Sequence, residues 1–401
     1  MNINGECEVM KILSIEEAKS YAMGKIVVIV TGVTGQDGSF MSDYLLKNTS
    51  YEIFGGARRL SVSNHDNIKH LENEPRFHLI NFDLTDAHSI SQIVSQLKPA
   101  YFINFAAQSF VKSSWDFPAQ TWDTNTKSII HILESIRLHC PTCRFYNAGS
   151  SEEFGDVLYN PQDEKHPIRP RSPYGASKAA ARQLVKVYRD SYSLYAIQGW
   201  LFNHEGTRRG EEFVTRKITK SVARIVKELK KGTEVVPLEL GNLEASRDWT
   251  DAEDCVEAVW RMLNQDIFDT YIANMILTDN KGDYLTSETY LKAIIPYIKE
   301  YVVSSGETHS VKRFVELAFQ VAGIEGHWEG SGIDEKYILG KINNSGPILV
   351  KINPAFYRPA EVDYLRGNPS RIKKRLGWSP QSSFKQLVVK MVNKDILINS
   401  K

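Results

Sequence analysis

Three observations predict an α/β fold built on a doubly wound parallel sheet. A continuous β-branched run, Ile26–Val30, suits a strand buried on both faces. A glycine-rich turn, Thr31-Gly-Val-Thr-Gly-Gln-Asp-Gly38, follows it directly and opens a helical pattern. Short apolar runs then alternate with helical patterns, as repeated βαβ units require.

Taken in chain order, residues 1–23 are polar and weakly patterned and read as an N-terminal extension outside the fold. After Ile26–Val30, strands are expected at Tyr51–Phe54, Phe77–Phe82, Tyr101–Phe105, Phe145–Ala148 and Tyr195–Phe202. Helical patterns between them include Ser128–Leu138, with Ile129, Ile130, Ile132, Leu133 and Ile136, and Ser177–Tyr192. Residues 24–202 are therefore expected to form a Rossmann core. From 203 to 401 the rhythm loosens into a smaller α/β lobe that would bind substrate. There, Phe213–Lys231 reads as a basic amphipathic helix, Val235–Leu240 as a strand and Arg371–Trp378 as a terminal helix with its stop. Two stretches, 251–265 and 301–322, are expected to return to the sheet; the first carries a Val256, Val259, Trp260 and Leu263 stripe. Residues 266–300 read as an insertion.

Composition narrows the function class. The chain is 42% hydrophobic and 24% charged with a formal net charge of +1, so no surface for nucleic acid or membrane headgroups is indicated. No apolar run approaches the roughly 18 residues of a membrane span, and the N-terminus lacks a signal-peptide core. Of Cys7, Cys140, Cys143 and Cys255, only Cys140-Pro-Thr-Cys143 has C-x-x-C spacing. It precedes an expected strand rather than opening a helix, which disfavours a redox role. A reduced, cytoplasmic protein acting on a small molecule is the expectation.

The glycine turn indicates a dinucleotide. Gly32, Gly35 and Gly38 permit a tight turn, close approach of backbone to a pyrophosphate, and close helix–strand packing; Thr34, Gln36 and Asp37 line the same turn. At the end of the second strand an acid would suit the ribose hydroxyl of NAD. This chain has Arg58 and Arg59 instead, two guanidinium groups suited to a 2′-phosphate, so NADP is favoured. Asp83 and Leu84 end the third strand where adenine would lie. Phe105, Ala106, Ala107, Gln108 and Ser109 follow the fourth, with small residues to admit the cofactor ribose.

Chemistry is carried by two short runs. Tyr174-Gly-Ala-Ser-Lys178 places a phenol and an ammonium one helical turn apart on one face. The ammonium is expected to favour the phenolate; bringing a Tyr from ~10 to ~7 takes about 4 kcal/mol of differential stabilisation. Ala148-Gly-Ser-Ser-Glu152 falls just after the fifth strand, adding the Ser150 hydroxyl and a second base, Glu152. A second base allows a carbon–hydrogen bond beside a new ketone to be broken. That indicates dehydration rather than plain oxidation.

These runs, with Leu201-Phe-Asn-His-Glu205, Arg208-Arg-Gly210, Arg247-Asp-Trp249, Tyr357-Arg-Pro-Ala-Glu-Val-Asp363 and Leu376-Gly-Trp378, make the chain resemble the GDP-mannose 4,6-dehydratases of the extended short-chain dehydrogenase/reductase superfamily. The resemblance runs from about Lys25 to Val392. It implies that Tyr174 takes the sugar O4 proton while C4 gives a hydride to NADP, with Lys178 and Ser150 holding the geometry. Glu152 would remove the C5 proton as water leaves from C6, and the hydride would return to C6. The product would be GDP-4-keto-6-deoxymannose, a precursor of GDP-deoxysugars such as GDP-fucose. The resemblance further implies Ser109 and Glu152 at the sugar, Asn203, Lys217, Arg247, Arg358 and Glu361 around the GDP, and His204 and Arg209 against the cofactor. It also implies a homodimer or homotetramer.

The chain departs from that pattern in places. Ser150 stands for a Thr, Phe110 for a His, Glu153-Phe154 for Leu-Tyr, Gly206-Thr207 for Ser-Pro, Thr250 for Gly, and Trp200 for an aliphatic residue. A buried Glu153 would raise the pKa of Glu152. Two alternatives stay open on sequence alone: the same chemistry on a GDP-manno-heptose, and an NADPH-dependent reductase or epimerase, which would not need Glu152.

Overall fold

The computed structural model describes residues 10–58, 64–270, 272–273, 288–342, 346–356 and 364–400. Seven strands, β1 (Ile12–Leu13), β2 (Val27–Thr31), β3 (Glu52–Ala57), β4 (Phe77–Asn81), β5 (Tyr101–Asn104), β6 (Arg144–Ala148) and β7 (Ala196–Leu201), join the edge strand Val302–Val303 in one parallel sheet. The spatial order is β1-β4-β3-β2-β5-β6-β7 and then the edge strand. Strand order therefore reverses between β2 and β5, the switch point where such sheets bind ligands.

Helices cover both faces, as an all-parallel sheet requires. On one face α2 (Gln36–Asn48) and α7 (Ala252–Leu263) bury Phe40, Met41, Leu45, Val256, Val259 and Leu263. On the other, α3 (Ala87–Leu97), α4 (Ser128–His139) and α5 (Pro173–Tyr192) bury Ile90, Val94, Ile132, Leu133, Ala181 and Val185. A second lobe has its own core. Its sheet runs Gly326–Glu329, Lys336–Leu339, Ile348–Ile352, Leu238–Leu240, under α6 (Val214–Lys231) and the helices Val311–Val321 and Phe384–Ser400.

Four sequence expectations need correction or extension. Residues 10–22 are not an extension outside the fold. β1 pairs with β4, and α1 (Ile15–Ala22) packs on the sheet with Ala18 fully buried. Ser14 and Glu17 form a reciprocal capping box, the local signal that the weak apolar pattern obscured. Residues 301–322 split between the lobes: Val302–Val303 joins the main sheet, but Val311–Val321 packs Phe314, Val315, Leu317 and Phe319 into the second core. An apolar stripe says that a helix is buried, not against which core.

The described ends of the 266–300 insertion pack into the main lobe. Asp266 accepts a fork of two bonds from Arg144 at 2.6 and 2.7 Å, and Tyr290, Leu291, Ile294 and Ile298 join the main core. Lastly, Arg371–Trp378 does not end the fold, since Phe384–Ser400 follows and buries Leu387, Val388, Met391 and Val392.

If β1 and α1 are part of the fold, Ala18→Glu buries an unpaired carboxylate and should destabilise the protein by about 2–4 kcal/mol. Urea unfolding would measure it. A midpoint unchanged from the wild type would return residues 10–22 to the status of an appendage.

Candidate active site

The carboxyl ends of β2, β5, β6 and β7 open into a cavity of about 600 Å³ between the two lobes. The turn after β2 is shaped by space. Gly32 has φ +68°, and a Cβ there would lie 2.7 Å from Ala106 N; a Cβ on Gly38 would lie 2.7 Å from the carbonyl carbon of Gly32. Helix α2 starts at Gln36 with no side-chain cap, so its first amides face the cavity.

After β6 the chain makes one 3₁₀ turn, Ser151–Glu153. Ser150 Oγ accepts from Glu152 N at 3.2 Å, and Glu153 Oε1 accepts from Ser150 N at 2.8 Å. Helix α5 begins beside it, capped by Ser172 and with Pro173 in its first turn. The contact is close enough that a Cβ on Gly175 would sit 2.6 Å from Glu152 O. Tyr174 and Lys178 thereby join Ser150 and Glu152 on the cavity wall.

The electrostatics differ from expectation. Burial pushes the Tyr174 phenol up, well above its ordinary value, and the hydrogen bond with Ser150 only partly opposes this. Lys178 Nζ donates to Ala148 O at 2.7 Å and lies 5.9 Å from the phenol ring centre. Burial pulls the ammonium itself down to about 8.

His204 is better paired. Its Nδ1 lies 2.7 Å from Phe202 O and its Nε2 2.8 Å from Asp37 Oδ2. Both ring nitrogens face acceptors, so the ring carries two protons. Burial opposes that charge, but Asp37 outweighs it and raises the histidine, while His204 and Arg209 hold Asp37 low.

The structure brings together Gly32, Thr34, Gly35, Gln36, Asp37, Gly38, Phe105, Ala107, Ser109, Ser150, Glu152, Tyr174, Lys178, Asn203, His204, Arg209, Lys217 and Arg247 on one cavity. Ala106 lies behind the Gly32 turn, and Gln108 is clamped through its backbone by Asn125. Three residues expected at the cofactor stand outside the lining. Arg58 is exposed at the end of β3, the Asp83 carboxylate accepts from Thr85 N and Oγ1 in its own turn, and Leu84 is buried in the core. Arg59, Arg358 and Glu361 lie outside the described residues.

Sequence reading missed Asn67, whose Nδ2 donates to Thr34 O at 2.9 Å and so ties the glycine turn down. Phe356, whose ring lies 3.7 Å from Lys217 Nζ, was also missed. Neither sits in a patterned segment. Buried Gln36 Oε1 and Asn203 Oδ1 have no hydrogen-bond partner among the described residues. With the tight glycine turn, these orphaned acceptors fit a polar ligand held against backbone, such as a dinucleotide and a nucleotide sugar.

The model of the family described as GDP-mannose 4,6 dehydratase matches residues 29–288 and 277–391. The chain belongs to that family. It is 40% identical over 382 residues to the GDP-mannose 4,6 dehydratase of Drosophila melanogaster, covering 92% of this chain and 86% of the relative. It is 37% identical to the human GDP-mannose 4,6 dehydratase, covering 92% and 91%. Among solved structures, dTDP-glucose 4,6-dehydratase DesIV from Streptomyces venezuelae, with NAD and TYD bound, superposes with TM-score 0.69 at 18% identity, covering 92% of this chain and 96% of that one. RMD from Pseudomonas aeruginosa complexed with NADPH gives 0.64 at 19%, covering 93% and 99%. At such identities the structures establish a shared fold with this family member. Among the described residues, no helix is long and apolar enough to cross a membrane.

The His204–Asp37 pair has a pH signature. The raised histidine contributes stability that is complete below ~6.5 and lost as pH climbs through its folded value; the lowered aspartate contributes above ~4. The stability gap between wild type and His204→Gln should therefore be widest between about pH 4 and 6.5 and shrink toward pH 9. A gap that widens on the alkaline side would show that the ring is neutral.

Proposed function

We propose that this chain is an NADP-dependent hydro-lyase converting GDP-mannose to GDP-4-keto-6-deoxymannose. The observation that carries the reading is Glu152 beside Tyr174 on one wall: a base beyond the Tyr–Lys pair serves elimination and is superfluous for simple reduction. Tyr174 accepts the proton of the sugar O4 hydroxyl, with Ser150 hydrogen-bonded to the phenol. Bound on the glycine turn, NADP supplies the chemistry of taking a hydride from C4 and giving it back at C6. The ketone formed at C4 acidifies C5. Glu152 removes the C5 proton and passes it to the C6 hydroxyl, which departs as water; return of the hydride to C6 is matched by a proton at C5 from Tyr174, so no net oxidation remains. Lys217 and Arg247, on the cavity wall, serve the diphosphate and base, a role the family resemblance also gives Arg358 and Glu361.

NADP over NAD rests on Arg58 and Arg59 at the end of β3. Cys140 and Cys143 are buried and unbridged, which favours a reducing, cytoplasmic setting.

NMR of GDP-mannose incubated with the purified protein, with no added NADPH, is expected to show a 4-keto-6-deoxy product; turnover only when NADPH is supplied would favour the reductase reading. Glu152→Gln should lower turnover by ~100- to 10,000-fold and abolish C5 proton exchange with solvent, while cofactor reduction persists. Normal C5 exchange in that variant would remove Glu152 from its role.

We also place a second copy of the chain against α4, α5 and the short helices before them, where Trp115, Phe117, Trp122, Leu138, Val187 and Tyr192 stay exposed. Light scattering should report a dimer or a multiple of it; a monomer at micromolar concentration would refute the placement.

A further inference from the structure

Glu153 follows the elimination base directly, yet it does not face the cavity. It is fully buried, and its carboxylate spends every bond on the protein. Oε1 accepts from Ser150 N at 2.8 Å and from Gln198 Nε2 at 3.1 Å, and Oε2 accepts from Arg182 Nε at 2.5 Å. Arg182 sits one turn beyond Lys178 on α5. Its other nitrogens donate to Gln198 O at 2.5 Å, Gly199 O at 3.2 Å and Glu300 Oε2 at 2.8 Å, and its guanidinium lies 3.5 Å from the Trp200 ring centre. Glu300 also accepts from Arg189 Nη1 at 2.9 Å, so two acids and two arginines balance in charge. Phe154 stacks on the other partner of this group, Trp200, with ring centres 5.7 Å apart. Gly149 is the point of closest approach: a Cβ there would lie 2.8 Å from both Glu153 Oε1 and Arg182 Nη2.

Glu153, Phe154 and Trp200 are three of the positions where this chain departs from its family's pattern, and the structure joins them into one unit under the catalytic turn. We propose that Glu153, clamped by Arg182, is a positioning residue for the dehydration, locking the Ser150–Glu152 turn to the helix that carries Tyr174 and Lys178. The proposal rests on the reaction assigned above. It makes the pair matter for the chemical step and not for substrate binding, since neither side chain lines the cavity.

The pair also has an electrostatic consequence. The charged groups facing the Tyr174 phenol are Glu152 and Glu153 from the turn, Arg209 from the loop beyond Asn203–Glu205, and Lys178 from its own helix; Asp37 and Glu153 face Lys178. Glu153 raises both groups, so neutralising it lowers the phenol and the ammonium together and moves the pH profile of kcat, its acid limb included, to lower pH.

The experiment measures kcat and KM for GDP-mannose against pH in wild type, Glu153→Gln and Glu153→Asp. Wild-type turnover tests the assigned reaction by itself; without it, that reaction fails and not merely this inference. Given turnover, the Gln variant should lose about tenfold or more in kcat with KM within about twofold, and its acid limb should shift down. The Asp variant, which keeps the charge, should return the limb to its wild-type position. Unchanged kcat and limb in the Gln variant, or a loss confined to KM, would overturn the proposal. If the Gln variant does not fold, Arg182→Lys must show the same loss in kcat alone, and wild-type kcat there overturns it equally.

Discussion

A single line of buried hydrogen bonds runs beneath the cavity, and the site depends on it. Thr31 Oγ1 donates to Asn104 Oδ1 at 2.5 Å, Asn104 Nδ2 to Asn147 Oδ1 at 2.8 Å, and Asn147 Nδ2 to Gln198 Oε1 at 2.6 Å. Gln198 Nε2 then reaches Glu153 and the carbonyl of Lys178. Thr31, Asn104 and Asn147 stand at or next to the carboxyl ends of β2, β5 and β6, and Gln198 lies mid-strand in β7 opposite Asn147. Buried amides left unpaired would each cost about 1–3 kcal/mol, so one register of strand ends is strongly preferred. The glycine turn, the ribose-facing loop and the catalytic turn all leave from those ends.

The second lobe closes the other side of the same cavity through an anchor of similar kind. Asp248, fully buried beside Arg247, accepts from Ser305 N and Oγ, Gly306 N and Gly367 N. Burial nonetheless raises it to about 6.

Most of this was legible in the sequence where residue type and spacing coincide. The βαβ rhythm marked β2, β4, β5, β6 and β7 within a residue at each end and β3 three residues short of Ala57, and the two motifs placed Ser150, Glu152, Tyr174 and Lys178 on a common edge. What escaped depended on distance along the chain. β1 is two residues long and is recognisable only once β4 is there to pair with it. Asn67 and Phe356 approach the cavity from segments with no periodic signal. The Tyr-x-x-x-Lys spacing fixes proximity, while the burial of both groups and the acceptor Ala148 O are set by the folded chain and leave no mark in that spacing.

Glu152 and Glu153 show how far adjacency in sequence can mislead. Two neighbouring carboxylates suggested mutual repulsion at the catalytic base. The 3₁₀ turn rotates successive side chains by roughly a third of a circle, sending one to the cavity and the other under the sheet. Once beneath, a carboxylate needs a partner, and among the described residues Arg182 pairs with Glu153 and Glu300. The acid that looked like a liability to the sugar pocket is thus held away from it by its bonds to Arg182, Gln198 and Ser150 N, which offset the cost of its desolvation. The same cost ties it to the helix that carries the other half of the chemistry.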